Sequence, residues 1–289
     1  MRLVIDTNRL ALQPGESVAP LRTFLSASRA NQAVLTDYAG MEAYKGGSIE
    51  GLMRSMSILV DFPDQVIVWT RTRTISGLRG RTAGLQRRLI DENDTRNFHR
   101  YLAKLRLVEQ GHAGHRREIE EWVKESREHI DETLLGGVDQ VREAINDIAK
   151  SHSKAERTAI RNGVGYTPEF IDRTTKSILQ IVVNLFHHHP DVKKLPPLQE
   201  IPNTLIFRYG LCAYLWALDW AANGGAGDAK ADKLRNDVVD LSFASYATFF
   251  DGLLSKDEKV RRIHQQARIW LIHKFDCDLP SRYGYIPIT

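Results

Sequence analysis

The sequence predicts an α/β fold: a short parallel sheet flanked by helices and interrupted by a large all-α insertion. Two observations carry that expectation. In the first 70 residues, short apolar runs ending in a polar turn alternate with stretches of helical periodicity; Leu3-Val4-Ile5 before Asp6 is the first. Strands spaced by helices in this way form βαβ units and a parallel sheet. From 71 to 225 the strand-like runs disappear and long helical periods take over; the alternation resumes from 226 to 289. The expected division is a core of 1–70 and 226–289 around a helical insertion of 71–225.

The elements follow in order. Leu3 to Ile5 is the first strand, ended by Thr7 and Asn8, which favour turns. Pro14 to Ser17 is a turn, and Ala19 to Ala30 an amphipathic helix with Leu21, Phe24 and Leu25 on one face. Ala33 to Thr36 is a second strand, and Asp37 to Gly46 a helix that Gly46-Gly47 closes. Ser48 caps the next helix, to Val60, and Gln65 to Trp69 is a third strand or the start of a loop. Residues 94–134 and 138–160 read as long charged helices. Thr167-Pro168-Glu169 starts another, with proline in the first turn, that runs to Pro190. After Pro196-Pro197, Leu205 to Ala222 is a buried helix, and Gly224 to Asp228 a break. Asn236 to Phe249 is a helix, Phe250 to Ser255 a strand and Glu258 to Ile272 a helix; the tail from Asp276 to Thr289 is irregular or an edge strand.

Composition narrows the class. The fractions, 42% hydrophobic and 26% charged, are those of a globular protein. No signal peptide is visible, and Arg208 and Asp219 inside the most apolar helix argue against a membrane span. Two cysteines, Cys212 and Cys277, make no disulfide framework and fit reduced thiols in the cytoplasm. A net charge of +4 permits a polyanionic partner.

Acids recur where strands end. Asp6 directly follows the first strand, and ligands of open α/β sheets bind beyond the carboxyl ends of the strands. Glu42 stands six residues after Thr36, near the same edge. Asp237 and Asp240, three apart, share a helix face; Asn236 would cap that helix, and Asp237 would then suit its positive end. Ser255 and Asp257 occupy the loop after the last strand, whereas Asp251, at that strand's other end, reads as a turn residue.

These four blocks resemble the PIN-domain nucleases. That family's first strand ends in Asp-Thr-Asn, as Asp6-Thr7-Asn8 does. Its second block has Ser or Thr, then Glu six residues on and often Gly four later, as Thr36, Glu42 and Gly46. The third is Asp with small residues four and seven further on, as Asp240, Ala244 and Ala247. The fourth is an apolar strand ending in Ser or Thr with an acid two later, as Ser255 and Asp257. The resemblance covers about 1–70 and 229–275 and not the helical middle, which is far longer than the family's usual connection.

The resemblance implies a PIN-like core and a metal-dependent endoribonuclease leaving 5′-phosphate and 3′-hydroxyl ends. Asp6, Glu42, Asp240 and Asp257 would ligate Mg²⁺ or Mn²⁺, with Asp237 as a fifth acid and Asn8 and Ser255 orienting ligands or substrate. The residues themselves agree with that chemistry, since hard cations prefer carboxylate oxygens and converging carboxylates focus negative charge. His187-His188-His189, at a helix end, and His112 and His115 are weaker metal candidates. The substrate would be RNA more than DNA, held by an arginine belt at 71, 73, 79, 81, 87, 88, 96 and 100; Arg79, Arg81, Arg87 and Arg88 form its centre, and Trp69 and Phe98 flank it for stacking. Failing that, Arg261, Arg262 and Arg268 are the alternative basic face. A toxin or defence effector with an antitoxin or other partner protein fits such a chain, as does an oligomer. The rivals are a structure-specific DNA nuclease and a catalytically silent RNA-binding or scaffolding protein.

Overall fold

The structure, a computed structural model, describes residues 1–12, 16–44, 48–133, 138–164, 166–192, 194–227 and 229–280, with the side chains of Met41 and of 125–140 outside that set. The expected Pro14 turn, the Gly46-Gly47 helix stop, Asp228 of the flexible break and the tail beyond Pro280 lie outside the described residues.

The first half of the sheet is β1 (Arg2–Ile5), α1 (Pro20–Ala27), β2 (Gln32–Leu35), α2 (Asp37–Tyr44), α3 (Ile49–Asp61) and β3 (Val66–Val68). Among the described residues a run of α-helices follows before the sheet is rejoined: α4 (Thr72–Ser76), α5 (Leu85–Arg88), α6 (Glu92–Glu109), α7 (Ala113–Thr133), α8 (Val138–Lys150), α9 (Lys154–Arg161), α10 (Pro168–His188) and α11 (Leu205–Ala222). The chain closes with α12 (Ala231–Ala247), β4 (Gly252–Leu254) and α13 (Glu258–His273). All strands are parallel, in the order β3-β2-β1-β4. Their apolar runs are buried almost throughout because helices cover both faces of such a sheet. The chain leaves β1 toward β2 on one side and returns through β4 on the other. The gap beyond β1 and β4 is therefore the switch point where α/β folds bind ligands.

The core is continuous across the expected division. Val4, Val34 and Phe243 belong to the same buried cluster as Leu102, Leu105 and Leu211 of the helical middle. α6 packs on β3 and α3, and α11 lies against α8, α10, α12 and α13. α11 is apolar over most of its surface, and most of its residues are buried. Among the described residues no helix is long and apolar enough to cross a membrane.

Several expected boundaries move. The 94–134 helix is two helices, because Gly111 sits at φ +92, a left-handed conformation that L-residues resist. α6 begins earlier than expected, because Asp91 caps it by accepting from the backbone of Asn93 and Asp94. The 138–160 helix breaks where Ser153 and Glu156 form a reciprocal capping box that starts α9. α12 starts at Ala231, five residues before the expected start, because Leu234 is fully buried and draws the first turn into the core. Asn236 is therefore not a cap. β4 is shorter than expected; Asp251 instead accepts from the backbone N–H of Arg2 at 2.6 Å, aligning the starts of β1 and β4. Ser48 and Thr167 cap α3 and α10 as their positions predict.

Candidate active site

Asp6 is the fixed point. The β1–β4 pairing continues into its backbone, whose N–H donates to the Leu254 carbonyl at 3.0 Å. Its carboxylate is buried at 2% exposure and held from three sides. Ser255 Oγ donates to Oδ2 at 2.5 Å, Asn8 Nδ2 to Oδ2 at 2.8 Å, and Thr7 Oγ1 approaches Oδ1 at 3.3 Å. Burial raises the Asp6 carboxyl above its ordinary value, the Ser255 and Asn8 hydrogen bonds oppose that, and Glu42 adds to the rise. Asn8 also accepts from the backbone N–H of Lys256 at 2.8 Å, so one side chain ties the β1 loop to the β4 loop. Asn8 and Ser255, expected to orient ligands or substrate, thus both touch Asp6.

Glu42 reaches the same edge from α2, where Thr7 Oγ1 donates to it at 2.5 Å. Asp257 caps α13 by accepting from Val260 N at 3.0 Å, and its own N–H donates to Ser255 Oγ. This cap gives Asp257 a local structural role that the sequence reading did not assign.

The two acids of α12 differ sharply. Asp237 is buried and neutralised: Lys259 Nζ lies 2.5 Å from Oδ2, and the indoles of Trp216 and Trp220 donate to the same oxygen at 3.1 and 3.0 Å. Asp240, nearly one turn further on, has neither a hydrogen-bond donor nor a cation among the described residues. Burial pushes its carboxyl up to about 7, and Asp6, Asp257, Glu42 and Asp237 each push in the same direction. Asp240 is therefore the electrostatic centre of the group. Lys259, Trp216, Trp220 and Thr7 were missed in the sequence. The tryptophans' i, i+4 spacing on an apolar helix read only as core.

The acids do not form a closed chelate. Among the described residues no group of three or more His, Cys, Asp or Glu side chains sits close enough to hold a metal ion as it stands. The donor chemistry nevertheless suits a hard divalent cation, because every donor is a carboxylate oxygen and Asp240 has no competing partner among the described residues. Mg²⁺ retains several waters and is commonly held by one or two carboxylates, so three protein ligands are not required. The histidine candidates are elsewhere: His188 bonds the Asn184 carbonyl at the end of α10, and His189 accepts from the backbone of Asp191 and Val192.

Compared with known proteins, the chain matches no family model, no curated protein and no solved structure.

The arginine belt is not one surface. Arg88 donates to the carbonyls of Arg79 and Arg81 and folds their loop. Gly80 is required there, since a Cβ would lie 2.0 Å from the Glu200 carbonyl oxygen. Arg79, Arg81 and Arg87 stay exposed, but Arg81 pairs with Glu200 at 3.8 Å, Arg73 with Asp191 and Arg71 with Asp94. Gln86 donates to the carbonyl of Phe249, beyond the far end of α12. At 1.5 Å per residue, Asp240 to Ala247 alone spans about 10 Å, so the belt's centre lies well away from the acids. Trp69 is not a stacking platform: it is 1% exposed and packed against Tyr246, Phe249 and Phe250. On the alternative face, Arg268 is buried, Arg261 donates to the carbonyls of Ser255 and Lys256, and Arg262 pairs with Asp219.

Proposed function

We propose that the chain is a metal-dependent phosphodiesterase of PIN-like type that cleaves RNA at the edge formed by Asp6, Glu42, Asp240 and Asp257. The observation that carries this reading is Asp240, a half-buried carboxylate that has four other acids for neighbours and, among the described residues, no cation. A structural charge so placed would be a pure cost, because isolated buried charges are neutralised or paired. Bound at these carboxylates, Mg²⁺ or Mn²⁺ would supply charge stabilisation and an activated water. Asp240 and Asp6 would hold the ion, with Glu42 and Asp257 beside them. Asn8 and Ser255 keep Asp6 in one orientation. Asp237, already paired with Lys259, supports the local structure.

The competing reading is a catalytically silent binding protein. Cleavage of a single-stranded RNA and its DNA counterpart, in Mn²⁺, Mg²⁺ or EDTA, separates the two. Metal-dependent cleavage lost in Asp240→Asn and kept in Asp237→Asn supports the nuclease. RNA binding without cleavage in any metal supports the binding protein.

A further inference from the structure

A second site lies on the other side of α11. A cavity of about 770 Å³ opens between α9, α10, α11 and α13, a volume in the range of small-molecule sites. Trp216 and Trp220 turn from α11 toward Asp237, while Leu215 and Leu218 line the cavity. Phe170 and Trp270 complete an apolar floor. Ile269, 57% exposed, stands on the wall. The rim has the opposite character, with Arg161, Arg262 and Lys274 against the single acid Asp219.

Those cations are available. Arg161 is exposed and has no partner among the described residues. Arg262 pairs with Asp219 at 2.8 Å and Lys274 with Asp172 at 2.9 Å, each at a partly exposed position. Such surface pairs are worth little and yield readily to a better anion. A floor of hydrocarbon under a cationic rim is complementary to one ligand type. We infer that this cavity binds an anionic amphiphile: an apolar chain or ring seated on Phe170, Leu215, Leu218 and Trp270, with a carboxylate or phosphate head at Arg161 and Arg262. The site shares no residue with the acid edge, so the inference stands whether or not the chain is a nuclease.

Calorimetric titration with three twelve-carbon probes, all below micelle formation, tests it: dodecanoate, dodecyl phosphate and dodecyltrimethylammonium. The two anions should bind one per chain and the cation should not. The tighter anion identifies the head group. Arg161→Glu should weaken anion binding roughly tenfold or more, the effect of losing a charged hydrogen bond. Ile269→Glu should weaken it similarly. Both positions are exposed, so both variants should fold. Arg29→Glu, which changes an exposed cation outside the lining, should leave binding unchanged. Equal binding of the cationic probe, no binding of either anion, or an equal loss in Arg29→Glu would overturn the inference.

Discussion

Two charges beside α12, Arg208 fully buried and Asp240 half-buried, are treated in opposite ways. Past the helix's C-terminal end, Arg208 is 1% exposed, yet it is well provided for. It donates to the carbonyls of Pro202 and Thr248 and to the side chains of Asn203 and Thr248, and lies 3.8 Å over the Phe249 ring. A cation at a helix C-terminus also suits the dipole. Burial lowers the Arg208 pKa only to about 10, so the guanidinium stays charged. Midway along α12, Asp240 has no donor among the described residues and four acids for neighbours. Burial alone is thus not a mark of function. What marks Asp240 is a partly buried charge without compensation among the described residues, whereas hydrogen bonds offset the burial of Arg208.

That contrast can be broken most forcefully by activity. Asp240→Asn should lower metal-dependent RNA cleavage on the order of a hundredfold or more, because the amide keeps the shape and drops the charge that holds an ion. Arg208→Met should leave cleavage near wild type per folded molecule and instead cost about 3 kcal/mol in urea unfolding, since several buried acceptors lose their donor. Equal loss of activity in both variants would erase the distinction.

The acids' positions were legible in the sequence because each is fixed locally. Asp6 and Asp257 sit just after strands whose apolar runs are plain, and Glu42 and Asp240 lie within regular helices. Their inequality was not legible. Asp237 and Asp240 look alike at three-residue spacing; only the packing of Trp216, Trp220 and Lys259 from two other helices separates them. The misplaced start of α12 has a similar origin, since Leu234 stands alone among charges until the core claims it. The four-stranded parallel sheet was foreseeable, but the continuity of its core with the helical middle depends on long-range contacts of α6 and α11 that no local pattern contains.

A smaller effect sharpens the contrast within α12. Asp237→Asn should destabilise by about 2 kcal/mol, because Lys259 loses its counter-charge while the indoles keep an acceptor. Its gain in melting temperature on adding Mn²⁺ should equal that of wild type. The smallest effect belongs to the belt: replacing Arg79, Arg81 and Arg87 by Ala should reduce the salt dependence of RNA binding, as fewer counterions are released, with the Mn²⁺ response intact. An unchanged salt slope would place the nucleic-acid path elsewhere.

The central claim is that Asp240 is an uncompensated carboxylate. Its folded pKa, about 7, lies above the ordinary value of 3.8. The folded state therefore keeps a proton that the unfolded chain has lost, and stability drains away as pH rises between those values. Asn cannot ionise and should escape that loss. Denaturant unfolding of metal-free wild type and Asp240→Asn between pH 4 and 8, repeated with Mn²⁺, measures it directly. Without metal, the variant should gain on wild type across that window by about 1–3 kcal/mol after screening, levelling off above pH 7. With Mn²⁺ at pH 8 the order should reverse, because only wild type binds the ion fully. A difference between the two proteins that is flat with pH and indifferent to Mn²⁺ would contradict the claim.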